Sequence, residues 1–165
     1  MLKILFLVPL LIFGIPKESS CREMRTLIVE NKALFNVELA NDRSTREQGL
    51  MFRESLAECQ GMWFDFADTK LVSMWMKNTA MSLDIVFVNE ALVVERVIES
   101  TVPYSLALLK SEVPVRYVLE LISGSINLYN INVGDRVIIE KERADDTDNP
   151  YKHSESGICA QPKTK

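Results

Sequence analysis

Lys77, Asn78 and Thr79 interrupt an otherwise apolar stretch, "SMWMKNTAMSLDIVFVN", that begins at Ser73. Together they offer a cation, an amide that both donates and accepts, and a hydroxyl. Two uses are open to them. Asn-Thr at a strand end commonly closes a turn through side-chain-to-backbone bonds. Set beside Trp75 and Met76, the same triplet also suits a pocket with an apolar floor and a few convergent polar groups. One turn can serve both ends.

Three further charged residues stand in apolar surroundings. The planar fork of Arg53 suits a carboxylate or phosphate, or it pairs with Asp84 or Glu120 inside the domain. Asp84 opens a strand directly after Leu83. Its carboxylate can bond nearby backbone N–H groups, orient Lys77 or act as a base. Glu120 lies within "VLEL", with Val118 and Ile122 on its own face. The commonest arrangement turns such a residue to solvent. An interior position would demand a partner, because an unpaired buried charge is expensive, and Arg53 or Lys77 would be the natural choices. Trp63, Phe64, Phe66 and Trp75 are read as core aromatics ahead of a sugar-stacking platform, and Gly134-Asp135 as a turn.

Familiar catalytic sets are missing. The single histidine, His153, falls in a polar C-terminal stretch, which leaves Ser-His-Asp triads and His-rich zinc sites without support. There is no phosphate-cradling glycine loop and no Cys-x-x-Cys. No cofactor or metal is expected. The net charge of −4 and the scattered basic residues give no stripe that would track phosphates, so nucleic acid is not an expected partner.

These residues need a scaffold, and the patterning supplies strands. In "ALFNVELA", Phe35, Val37 and Leu39 alternate with polar or small residues, the period of a half-buried strand. "RTLIVE", "GMWFDF", "KLVSMWMKN", "VRYVLELI" and a last strand after Gly134-Asp135 have similar character. "LDIVFVN" and "LVVERVIES" read as a hairpin around Asn89-Glu90-Ala91. Ser44 followed by Glu47 fits a capping box and predicts a short helix from about Thr45 to Met51. Another short helix is expected from Ser105 to Leu109, and "SGSINLYN" gives a helix or a loop. The expected fold is mainly β: a compact β-sandwich or barrel-like single domain with one to three short helices. It spans residues 26–142, and residues 143–165 form a polar, disordered tail.

The beginning of the chain has a different purpose. Met1-Leu2-Lys3 supplies a positive start, and Ile4 to Ile15 is apolar apart from Pro9 and Gly14. That run is too short to cross a bilayer and suits the apolar region of a signal peptide over residues 1–21. "ESSC" then permits either cleavage after Cys21 or a lipoprotein signal that makes Cys21 the acylated N-terminus. In an oxidising compartment Cys59 and Cys159 could bridge and tie the tail back; two independent thiols are the alternative.

Five motifs, "GLMFRESL", "GMWFDF", "MWMKNTAMSLDIVFV", "RYVLEL" and "VGDRV", occur here in that order. Together they resemble the bacterial and archaeal family called domain of unknown function 192, over most of the chain between Phe35 and Ile139. The resemblance implies a compact, mainly β domain, often exported behind a signal peptide or lipid anchor, and no settled activity. Many exported members carry a cysteine pair before "YVLE", and the connection here has none.

The functional expectation is an exported domain of the periplasm or cell envelope. It binds a small polar ligand, anionic or carbohydrate-like, through candidates Arg53, Trp75, Lys77, Asn78, Thr79, Asp84 and Glu120. Its partners are such a ligand or an envelope protein, with the membrane met only through the signal or a lipid anchor. Two other classes stay open. One is a hydrolase or transferase using Asp84 or Glu120 with Lys77. The other is a protein-interaction module presenting Met74, Trp75 and Met81.

Overall fold

Strand β5 (Leu83–Val88) is buried at every position, so both faces of the sheet around it are covered. A computed structural model describes residues 23–140 and shows how. Seven strands form one sheet in the order β6-β5-β8-β3-β2-β1-β9, which curls into a half-barrel. The remaining members are β1 (Met24–Val29), β2 (Ala33–Ala40), β3 (Gln60–Lys70), β6 (Val94–Ile98), β8 (Val115–Ile122) and β9 (Val137–Glu140). Two-residue strands β4 (Ser73–Met74) and β7 (Leu109–Lys110) pair separately. The barrel-like alternative is therefore the one found, since the second sheet is only a clip.

Every pairing in the large sheet is antiparallel except β2 with β3. A parallel pair cannot be joined by a tight hairpin, so the chain must cross over. The crossover holds α1 (Arg43–Gln48) and the turns after it. Its cap differs from the sequence expectation. Asp42 accepts from the Thr45 N–H at 2.9 Å, and the Thr45 hydroxyl accepts from the Asp42 N–H at 3.3 Å. That box starts the helix earlier than one built on Ser44 would, and Glu47 instead meets Arg43 one turn back, at 2.7 Å. The helix expected at Ser105–Leu109 is absent: this segment lies against the β4 strand, where Met74 opposes Leu109. The second helix, α2 (Ser125–Leu128), is a single turn.

Period-two alternation divides the apolar side chains between two cores. One face collects Phe35, Val37, Trp63, Val86, Leu119 and Leu121, closed by Ile126 and Tyr129. The opposite face collects Met62, Phe64, Ile85, Phe87 and Val118. There the lid consists of Leu50 and Leu56 from the crossover with Val72, Met76 and Met81 from the segment between β3 and β5. Glu120 belongs to this second face. In the register Glu38 opposes Met62, Met62 opposes Glu120, and Glu120 opposes Ile85, so one row across the sheet holds two acids in an apolar layer.

Cys59 is disulfide-bonded. Cys21 and Cys159 lie outside the described residues, as do the signal segment and the tail, so the expected Cys59–Cys159 pairing is not placed.

Candidate functional site

The turn after β4 is set by one residue. Asn78 has φ 54°, a left-handed conformation that asparagine tolerates better than most side chains. The Thr79 N–H donates to the Met76 carbonyl at 3.1 Å and closes the turn, and the Thr79 hydroxyl donates to the Lys77 carbonyl at 3.2 Å. Two neighbouring segments hold it in place. Phe52 N–H donates to the Asn78 carbonyl at 2.8 Å, and Tyr104 N–H donates to the Thr79 carbonyl at 3.0 Å. The triplet is thus a turn, tied to two neighbouring segments.

That turn also forms one wall of a cleft of about 670 Å³ on the second face of the sheet. This is the size of a small-molecule site. Trp75, Lys77, Asn78 and Thr79 line one side; Arg43, Arg46, Gln48 and Met51 come from the crossover. Phe64 and Phe66 of β3 line it as well, with Glu120 the contribution of β8. A second hollow, about 160 Å³ beside Cys59 and Ser123, has room for only about five waters.

Most charges around the larger cleft are already engaged. Arg43 has Glu47. Arg46 donates to the Asn41 and Asp65 carbonyls at 2.6 and 2.9 Å and lies 5.7 Å from the Phe66 ring centroid. Lys77 is different: its ammonium sits 5.0 Å from the Trp75 ring and has no carboxylate partner among the described residues. A cation over an exposed ring gains about 0.5–1 kcal/mol, which leaves it available to an anion.

Glu120 contradicts the expectation of a solvent-facing side chain. It is 4 % exposed, and its carboxyl has no hydrogen-bond or ion-pair partner among the described residues. Burial alone pushes its pKa up to about 8, so at neutral pH the acid is mostly protonated. Of the two partners offered for it, Arg53 is taken and Lys77 lines the same cleft without a bond to it. Arg53 grips Glu38 on β2 with both arms of its fork, and that contact, set against partial burial, raises the Arg53 pKa. The strand pattern of "VLEL" identifies which face Glu120 occupies but not what covers that face; the cover arrives from residues 43–51 and 73–81.

Asp84 is also buried, on the first face. One carboxylate oxygen accepts from the Ser100 N–H and the other from the Ile126 N–H, both at 2.9 Å. It fastens the chain after β6 and the α2 turn to β5, and it lines neither hollow. Of the sequence candidates, Trp75, Lys77, Asn78, Thr79 and Glu120 converge, whereas Arg53 and Asp84 do not. Sequence reasoning missed Arg43, Arg46, Gln48 and Met51. A signal was available: α1 buries no residue, and a helix polar all round has some use other than packing.

Among the aromatics, Trp63 and Phe64 are core, Phe66 is half-buried and Trp75 is 45 % exposed. The expected apolar trio separates likewise, with Met81 buried, Met74 half-buried and Trp75 exposed. No group of three or more His, Cys, Asp or Glu that could hold a metal stands among the described residues.

A half-barrel of β-strands with a small-molecule-sized cleft, lined by a buried acid and an exposed lysine, defines the class. The profile of the DUF192 family, described as Uncharacterized ACR, matches residues 26–139, and the chain belongs to that family. A crystal structure from Sinorhizobium meliloti 1021, described as a candidate transcription regulator, is 40 % identical. The match covers 72 % of this chain and 95 % of that one, with a TM-score of 0.67. A protein of unknown function from Novosphingobium aromaticivorans DSM 12444 is 32 % identical over 70 % of this chain and 83 % of that one, with a TM-score of 0.65. No curated protein matches the chain.

Proposed function

We propose that this protein is an exported cell-envelope domain that binds a small polar ligand in the cleft between α1 and the Lys77-Asn78-Thr79 turn. One observation carries the reading: Glu120 and Lys77, an acid and a cation without ion-pair partners among the described residues, line the same cleft. A nearly enclosed carboxyl that lines a cleft and has no partner among the described residues is placed to meet a visitor there. The export half of the proposal rests on the positive start and apolar run of residues 1–15. The disulfide-bonded state of Cys59 supports it, because such bonds persist mainly in oxidising compartments.

Thermal shift across sugars, carboxylates, phosphates, amines and amino acids tests the binding. A ligand at about a hundred times its Kd adds about 2.7 kcal/mol, a rise of several degrees. Lys77→Ala should diminish the rise while leaving the unliganded melting temperature intact. Absence of any rise across the panel would remove the support for a binding cleft.

A second reading has one observation in its favour. A carboxyl still protonated at neutral pH is what a general acid requires, so Glu120 with Lys77 would suit a hydrolase or transferase. Asp84 has no place in that version, since both its oxygens serve backbone donors on the other face. The regulator role in the description of the Sinorhizobium relative is not carried over to this chain. Arg53, Arg96 and Arg116 each meet a carboxylate, and the basic residues are scattered along the sequence.

A further inference from the structure

We infer that the ligand of this cleft is a small dipolar molecule, with a primary ammonium directed inward to Glu120 and a carboxylate directed outward to Lys77. The inference rests on the binding role proposed above and names the chemistry of its ligand. At the floor, Met62 and Ile85 flank Glu120 across the sheet, and Val118 and Ile122 flank it along the strand. These neighbours supply no hydrogen-bond donor to the carboxyl. The next acid in the row, Glu38, is held by Arg53, and Arg43 and Arg46 are engaged at the rim. No side chain among the described residues satisfies Glu120, so a ligand in the cleft is free to bring the donors.

An anion gains at most the single hydrogen bond that the protonated acid can donate, and a hydroxyl brings one donor and no charge. An ammonium brings three donors and the positive charge that makes an ionised carboxylate tolerable in an apolar site. At the mouth the requirement is reversed: Lys77 needs an anion. Phe64, Met51 and Trp75 lie along the cleft and favour methylene groups between the two ends.

The ammonium is already protonated at neutral pH, whereas Glu120 is not yet ionised. Binding therefore sends the Glu120 proton to solvent, close to one proton per ligand, as the carboxylate and ammonium pair.

The test uses linear amino acids with amine and carboxylate at opposite chain ends, from glycine through aminobutyrate to aminohexanoate. Hexanoate, hexylamine and glucose are the controls. Isothermal titration in buffers of different ionisation enthalpy, with tryptophan fluorescence, reads affinity and proton release. One chain length should bind at least about tenfold tighter than hexanoate or hexylamine, with release of about one proton. Glu120→Gln should abolish the proton release and reduce that affinity to the level of hexanoate. Lys77→Ala, on the exposed rim, should reduce it to the level of hexylamine without altering the fold. Glucose or hexanoate binding as tightly as every amino acid, unaffected by Glu120→Gln, would overturn the dipolar ligand and leave the binding cleft standing. Silence from every compound, together with a silent thermal-shift panel, would remove both.

Discussion

Glu38 and Glu120 stand in one row of the sheet on either side of Met62, and Arg53 is bound to Glu38. A single exchange of partners would have made Glu120 an ordinary interior ion pair. Its isolation is instead a property of the fold, because Arg53 leaves the crossover on the β2 side of the row. Arg53, one of the two partners that sequence reasoning offered an interior Glu120, has gone to its neighbour.

Isolation makes stability depend on pH in the direction opposite to most acids. In the open chain Glu120 ionises near its ordinary value of 4.5, and in the fold near 8. Between those values the folded protein holds the extra proton, so each rise in pH costs stability. The whole window amounts to about 5 kcal/mol, and the loss is absent below pH 4.5. Glu120→Gln cannot ionise. Urea unfolding at a series of pH values should show its advantage over wild type growing from pH 4.5 to 8. A constant difference across that range would refute the buried neutral acid.

Asn78 separates the turn from the ligand site. Asn78→Gly keeps the left-handed backbone and removes the amide, so the melting temperature should hold while any ligand bond from that amide is lost. Asn78→Ala retains the strain and should cost about 1 kcal/mol. Thermal melts of the two variants side by side make the comparison. Equal losses would mean that φ is not what asparagine contributes here.

Asp84→Ala should act on stability alone. It strands the Ser100 and Ile126 N–H groups, at a cost of about 3 kcal/mol. Denaturant unfolding measures the loss, and affinity at the cleft, measured on the folded fraction, should stay within about twofold. A selective loss of binding would return Asp84 to the site.

Gly61 lies where β3 passes β8. A methyl group there would stand 2.7 Å from the Glu120 carbonyl oxygen and 2.8 Å from Leu121 Cδ2. Backbone cannot yield that space cheaply, so Gly61→Ala should cost about 2–3 kcal/mol. It should also broaden the Glu120 amide signal in a nitrogen–proton spectrum. A variant as stable as wild type, with that signal unmoved, would show that the strands part more easily than they are packed.

Local pattern made the strands legible and left their neighbours unstated. Alternation in "ALFNVELA" and "VRYVLELI" predicts β2 and β8 closely, since a strand's two faces are written in every second residue. The polar triplet could be read as a turn because Asn-Thr chemistry is local. Arg53 with Glu38 was not readable, for that pair exists only once β2 and the crossover meet. The same holds for Glu120: its face follows from period two, but its burial depends on loops distant in sequence. Helix α1 was found and its cap misassigned, because Asp42 and Ser44 both satisfy capping rules and the surrounding turn decides between them.

The antiparallel pair β1–β9 gives the domain a mechanical character. Thr26 opposes Glu140 and Val29 opposes Val137, so the chain enters and leaves the sheet side by side at the same end of that pair. Tension between the two ends would load these hydrogen bonds one after another, as in a zipper, and not all together in shear. The outermost strand would peel first at low force. The strands beneath Glu120 lie well inside the sheet, with β3 and β8 separated from β9 by both β1 and β2. A domain held at its ends could thus yield at its edge and keep its cleft.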